Sequence, residues 1–139
     1  VSGYLVDSDV LSETQKPKPD ATALRWLRDH EADLYTSAVV IGEIEWGIQR
    51  LAQGKKRRDL TGWLHDTIIP RMEGRILRFD TRVALVWGQL QAELESAGTR
   101  MPWRDSVIAA TTRRHDLSLA TRNVKDFRKA GIELVNPFD

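Results

Sequence analysis

At 139 residues the chain is long enough to build one core without staples, and it is read as a single domain over 1–139. Its 41% hydrophobic and 29% charged content is that of a globular protein, and a formal net charge of +1 excludes holding nucleic acid by bulk charge, so local patches must do any such work. The absence of cysteine excludes disulfides and zinc–thiolate sites and is compatible with the cytoplasm.

The pattern predicts a buried strand at Tyr4-Leu5-Val6, ending at Asp7. Lys16-Pro17-Lys18-Pro19 reads as a loop, because each proline biases its predecessor away from helix. Asp20 then caps a helix running to His30, with Leu24, Trp26 and Leu27 apolar. Leu34-Tyr35-Thr36 is a second strand. Ser37 caps a long helix with Val40, Ile41, Ile44, Ile48 and Leu51 on one face, ended by Gly54. Lys55–Arg58 opens a further helix that carries Leu60, Trp63, Leu64 and Ile68 and stops before Pro70. Ile76–Phe79 is a third strand, and Asp80 caps a helix through Val83, Val86, Trp87, Leu90 and Leu94 to Gly98. Pro102 starts the next helix, where proline is tolerated. Leu117–Ala120 and Ile132–Val135 are the last two strands. The five tryptophans are read mostly as core, with Trp46 or Trp63 as candidates for a subunit interface.

The most apolar stretch, Ala38–Ile48, is interrupted by Glu43 and Glu45 and falls far short of the ~20 residues a membrane span needs. The start lacks a basic-then-apolar signal pattern, so the expectation is a cytoplasmic protein with no membrane role. Strands alternating with helices indicate an α/β protein with a mainly parallel sheet, which binds ligands beyond the C-terminal ends of its strands.

Four stretches place a polar group where an element begins or stops: LVDSDVLSE, TSAVVIGEIEWG, WRDSVIAATTRRHDL and LATRNVKDF. They allow Asp7, Glu43, Asp105 and Asn123 (or Asp126) to converge on one point. Clustered carboxylates raise one another's pKa and need a cation at neutral pH. Hard oxygen donors of this kind suit Mg²⁺ or Mn²⁺, the usual partners of phosphate chemistry.

Each residue also has a plainer explanation. Asp7 and Asn123 are ordinary turn residues, and Asp105 offsets a helix dipole. Glu43 is the hardest to dismiss, because it lies on an apolar helix face. Asp9 is favoured as a helix N-cap over an extra acid of the site. Thr121 can hydrogen-bond a carboxylate or a water. Arg104, Arg113, Arg114, Arg122 and Lys125 flank the acidic stretches and are candidates for gripping phosphates. His30, His65 and His115 make no metal pattern.

The same stretches resemble the motifs of PIN-domain nucleases, in the VapC/FitB-like branch of toxin–antitoxin toxins. Asp7-Ser8-Asp9-Val10 is similar to the family's opening Asp-Thr-Asn-Val, with Asp9 where Asn is usual. Ser37 and Glu43 match the helix after the second strand. Asp105 followed by Val107-Ile108-Ala109-Ala110 matches the third motif, and Thr121-Arg122-Asn123 with Lys125-Asp126-Phe127 the fourth. The resemblance implies a three-layer α/β/α sandwich acting as a metal-dependent endoribonuclease. Asp7, Glu43 and Asp105 would bind Mg²⁺ or Mn²⁺, helped by Asn123 and Thr121, and RNA would be hydrolysed to a 5′-phosphate and a 3′-hydroxyl. It also implies a homodimer and a small antitoxin, expected to insert a basic side chain into uncompensated acids, with promoter DNA bound by the complex.

Two other readings stand beside it. Leu5–Val10 also resembles the opening of haloacid-dehalogenase-like phosphatases, with Asp7 as nucleophile and Asp9 as acid. The second is a non-catalytic module for antitoxin capture and promoter control.

Overall fold

The computed structural model describes residues 3–139. Among them are five parallel strands: β1 Tyr4–Val6, β2 Leu34–Ser37, β3 Ile76–Leu77, β4 Ser118–Ala120 and β5 Leu134–Val135. Their order across the sheet is β3-β2-β1-β4-β5. The register pairs Tyr4 with Leu34, Leu5 with Leu119, Ser37 with Leu77 and Ala120 with Val135. The chain walks outward from β1 through β2 to β3, then returns across the sheet to β4. Right-handed crossovers therefore put the helices before β3 on one face and those between β3 and β4 on the other. The result is an α/β/α sandwich with its switch point between β1 and β4.

The helices are α1 Ser8–Leu11, α2 Ala21–Asp29, α3 Ala38–Gln49, α4 Lys55–Gly62, α5 Ile69–Arg71, α6 Thr81–Ser96 and α7 Trp103–Arg114. Side-chain caps start several of them. Asp20, Ser37 and Asp80 accept hydrogen bonds from the backbone N–H of Ala23, Val40 and Val83 at 2.9, 3.1 and 3.0 Å. Each satisfies an N–H that the helix itself leaves unpaired. No helix among the described residues is long and apolar enough to cross a membrane.

Several expectations change. α3 stops at Gln49, so Leu51 lies past it, and Gly54 does not end it. Gly54 has φ 154° and stands immediately before α4, a conformation that L side chains rarely adopt. The helical path also does not stop before Pro70. A π-helical turn over Trp63–Ile68 widens the backbone and leads into α5, where Pro70 sits in the first turn and its missing N–H costs little. The third strand pairs only through Ile76–Leu77, and Phe79 is exposed.

None of the tryptophans is fully buried, although Trp26 and Trp63 pack against the core. Trp46 and Trp103 are each 62% exposed, while Trp26, Trp63 and Trp87 are half-buried. Phe127 and smaller aliphatic residues fill the interior instead. Leu5, Val6, Val10, Val40, Leu64, Ile108 and Leu119 are fully enclosed. α7 is buried continuously from Ser106 to Thr112. Alanines let neighbours approach it closely, and the Thr111 and Thr112 hydroxyls donate back to the carbonyls of Val107 and Ile108, both at 2.8 Å. This rigid central helix carries Arg104 and Asp105 in its first turn.

Truncating the core at α7 should therefore be costly. Ile108→Ala is expected to lower unfolding stability by about 2–5 kcal/mol through lost burial and a residual cavity. Urea denaturation measures this as a lower midpoint with little change in slope.

Candidate active site

Asp7 follows β1 and is tied to its neighbours on both sides. Its N–H donates to the Ala120 carbonyl at 2.9 Å, which extends the sheet pairing by one residue. Its side chain is 2% exposed. Oδ1 accepts from the Ser8 N–H at 2.8 Å, so Asp7 itself caps α1. Oδ2 accepts from the Thr121 hydroxyl, also at 2.8 Å. Thr121 follows β4 directly and is fully buried; its Oγ1 in turn accepts from the Asn123 N–H at 3.1 Å. The adjacent strand ends thus fix Asp7 in one orientation.

Glu43 comes from α3, one residue before buried Ile44 and three after buried Val40. This spacing places it at the edge of the helix's buried stripe. Asp105 comes from the first turn of α7, where the helix dipole favours an anion. All three acids meet at the guanidinium of Arg104. Its Nε and Nη2 donate to the two Glu43 oxygens, each at 2.5 Å, forming a bidentate fork. Nη2 also donates to Asp7 Oδ1 at 2.5 Å and to Ser8 Oγ at 3.1 Å. Nη1 donates to Asp105 Oδ1 at 3.0 Å.

Arg104 is the residue whose role sequence reasoning misjudged. Grouped there with Arg113, Arg114, Arg122 and Lys125 as a flanking cation, it instead occupies the centre of the acidic cluster. Contrary to the expectation from sequence of uncompensated acids, Arg104 pairs with all three, although three carboxylates against one guanidinium still leave a formal charge of −2. A basic residue in a helix's first turn opposes the dipole, and that was the one local sign that Arg104 needed an anionic partner. Arg113 is committed elsewhere, to Glu93 at 3.1 Å and to the Ala130 carbonyl. Arg122 lies over the Phe138 ring, 3.7 Å from its centroid, at the rim of the site.

Asp9 is not the helix cap, because Asp7 has taken that position. Its Oδ2 accepts from the Arg122 N–H at 3.0 Å, while Oδ1 is enclosed without a partner. Asn123 and Asp126 are both exposed. Asn123 reaches the site through its backbone N–H on Thr121. Asp126 acts on Asp105 only through its charge.

Burial pushes the Glu43 carboxyl up, but hydrogen bonds from Arg104 and Ser8, with the guanidinium charge, outweigh it and hold it below its ordinary range. Asp105 is raised, chiefly by burial and also by the charges of Asp7 and Asp126, against the opposing pull of Arg104. Burial also disfavours the Arg104 cation, yet the bonds and charges of Glu43 and Asp7 hold it more firmly protonated than usual. Asp9 is pushed up to about 6, first by burial and then by the Asp7 charge.

The donor chemistry suits a hard divalent cation, since Asp7, Glu43 and Asp105 offer only carboxylate oxygens. As they stand, no three acidic, histidine or cysteine side chains among the described residues are grouped so as to hold a metal ion. The guanidinium stands between the carboxylates and spaces them apart. The fit is thus one of donor type and convergence, with Arg104 in the central place. Beside the cluster, a groove of about 450 Å³ runs from Ser8, Asp9 and Glu43 along Ile44, Gly47 and Ile48 to Leu60 and Trp63.

A family model described as PIN domain matches residues 4–133, and the chain belongs to the PIN-domain family. Among curated relatives it is 35% identical to Toxin FitB of Neisseria gonorrhoeae, over 96% of this chain and 97% of that one. It is 31% identical to VapC ribonuclease Y4jK of Sinorhizobium fredii, over 97% of each. Among solved structures, FitAB bound to an IR36 DNA fragment superposes with a TM-score of 0.91 at 33% identity, covering 98% of this chain and 96% of that chain.

The enclosed Asp9 carboxyl gives a pH-dependent prediction. Its pKa in the folded state, about 6, lies above the ordinary value near 4, so the folded protein binds more protons across that window. Stability from this group is therefore lost as pH rises from about 4 to about 6. Asp9→Asn keeps an acceptor for the Arg122 N–H and removes the penalty. It should leave stability nearly unchanged at pH 4 and raise it at pH 8 by about 1–2 kcal/mol, after discounting for partial solvation. Urea melts of both proteins at the two pH values check this.

Proposed function

We propose that the protein is an endoribonuclease toxin of a toxin–antitoxin pair, hydrolysing RNA phosphodiester bonds with the help of a divalent cation. The observation that carries this reading is the meeting of Asp7, Glu43 and Asp105 at one point beyond the C-terminal ends of β1 and β4 in a PIN-domain sheet. The curated relatives are named as a toxin and as a ribonuclease, and each is matched over nearly its whole length. The same family membership argues against the haloacid-dehalogenase-like phosphatase.

In this mechanism Asp7, Glu43 and Asp105 would hold Mg²⁺ or Mn²⁺, which would supply Lewis-acid chemistry, making water more acidic and offsetting charge on the phosphate. Thr121 keeps the Asp7 carboxylate oriented through a buried hydrogen bond, and Asn123 orders the Thr121 hydroxyl. Ser8 presents a hydroxyl at the same point. Arg122, stacked on Phe138 at the rim, is placed to meet the RNA backbone.

The partner is an antitoxin that covers the site. The groove beside Glu43 offers apolar wall from Ile44, Ile48, Leu60 and Trp63, and a charge contact alone would be screened by salt. A basic side chain from the antitoxin would meet the residual negative charge, as a rival to Arg104 for the same acids. FitAB is described with DNA bound, and promoter binding by a toxin–antitoxin complex is proposed here on that likeness. A homodimer and a cytoplasmic site of action belong to the same reading.

Asp7→Asn, Glu43→Gln and Asp105→Asn should each reduce RNA cleavage by about a hundredfold or more while far-UV circular dichroism stays native. Cleavage by the unaltered protein should require Mg²⁺ or Mn²⁺ and stop in EDTA. Full activity in EDTA, with contaminating nuclease excluded, would refute the metal mechanism. DNA binding in complex with an antitoxin, without any RNA cleavage by the free protein, would favour the non-catalytic module.

A further inference from the structure

We propose that Arg104 is a tethered competitor of the divalent cation: it closes over the carboxylates in a metal-free resting form, and the ion binds only when the side chain swings out. This rests on the metal site proposed above and concerns how that site is loaded.

The competition follows from the hydrogen bonds. Five of the six oxygens on Asp7, Glu43 and Asp105 already accept one, and Arg104 supplies the bond to four of those five. The lone pairs a metal needs are the ones the guanidinium uses. Both species are cations, so they repel as well as overlap, and simultaneous occupancy of the same carboxylates is unfavourable. The competitor cannot diffuse away, because it belongs to the chain, and its effective concentration at the site stays high at any protein concentration.

The structure also identifies the part that moves. α7 is anchored by continuous burial from Ser106 to Thr112, so release cannot require the helix to shift. The Arg104 side chain is 28% exposed and leads out to solvent through rotatable bonds. Asp7, by contrast, is locked by Ser8 and Thr121. Ligands stay in place while the plug leaves. Closed Arg104 leaves a formal charge of −2 over the three acids, whereas a doubly charged ion in its place leaves −1. The ion therefore has a charge advantage that a sufficient concentration can realise. Until then, apparent metal affinity is reduced by the fraction of molecules in which the site is open.

A released guanidinium on the first turn of α7 remains beside the acids. An anionic RNA backbone would give it a new partner and so favour the open form. Metal and RNA should then bind with positive coupling, each removing the same obstacle for the other.

The test is calorimetric titration of Mn²⁺ into the full-length wild-type protein, Arg104→Gln and Arg104→Lys at one pH and ionic strength, without RNA. Arg104→Gln should bind Mn²⁺ at least about tenfold more tightly than wild type. Arg104→Lys should fall between them, because a single ammonium cannot span three carboxylates as the guanidinium fork does. In thermal melts without metal, Arg104→Gln should unfold at a lower temperature than wild type and gain more on adding Mn²⁺. A merely structural arginine would give the first of these results without tighter metal binding. Should Arg104→Gln fail to fold without metal, Arg104→Lys decides the matter: tighter Mn²⁺ binding than wild type supports the competition and unchanged binding overturns it. Equal or weaker affinity in a folded Arg104→Gln overturns the competition alone. No Mn²⁺ binding by wild type or either variant overturns the metal site, and the competition with it.

Discussion

The guanidinium of Arg104 bonded to Asp7, Glu43 and Asp105 is the interaction on which the architecture around the site depends. It joins the end of β1, the middle of α3 and the start of α7 at one point. Without a cation there, three carboxylates at such short range would repel one another, and at a half-buried position that repulsion is only weakly screened. The bidentate fork on Glu43 adds direction to the charge contact, and a planar guanidinium meets a carboxylate in this way where an ammonium does not. The opposite pKa tendencies of Glu43 and Asp105 express the same arrangement. Glu43 has two oxygens on Arg104 and stays firmly ionised, whereas Asp105 has one and feels burial and like charge more strongly.

Sheet topology makes the meeting possible. β1 and β4 are neighbours although 114 positions separate Asp7 from Thr121, and their ends place the Thr121 hydroxyl against Asp7. The crossover from β3 back to β4 brings the N-terminus of α7 to that same edge. α3 enters directly from β2 with Ser37 as its cap, which sets the rotation that turns Glu43 toward the acids. Glu43 and Asp105 thus ride on helices and Asp7 on the junction of β1 with α1, each held by the packing of those elements, and regular elements position side chains better than loops do.

Much of this could be read along the chain. The caps Asp20, Ser37 and Asp80 announce helix starts because a short polar side chain before an apolar periodic run satisfies free N–H groups locally. Asp7, Glu43, Asp105 and Asn123 stand out as polar groups at the ends of apolar elements, but Thr121 rather than the Asn123 side chain is the residue that touches Asp7. The misreadings share a cause, which is that competing local roles look alike in sequence. Asp7 and Asp9 both suit a cap, and only the path of α1 decides that Asp7 takes it and Asp9 is enclosed. Gly54 suits a helix end as well as the approach to the next helix. Pro70 suggests a stop until the π-helical turn before it is known. Trp103 suggests core, yet it falls on an outward face.

By itself the sequence determined the fold class, the order of elements and the acids brought together, because hydrophobic period and capping chemistry act over a few residues and leave a local record. Tertiary structure alone decided what those acids bind in this form of the protein. Arg104 meets Asp7 across 97 positions and Glu43 across 61. Next to Asp105, Arg104 reads along the chain as one more surface cation. Charge pairing acts through space, so the partner of a buried carboxylate is fixed only when strands and helices from distant segments have closed around it.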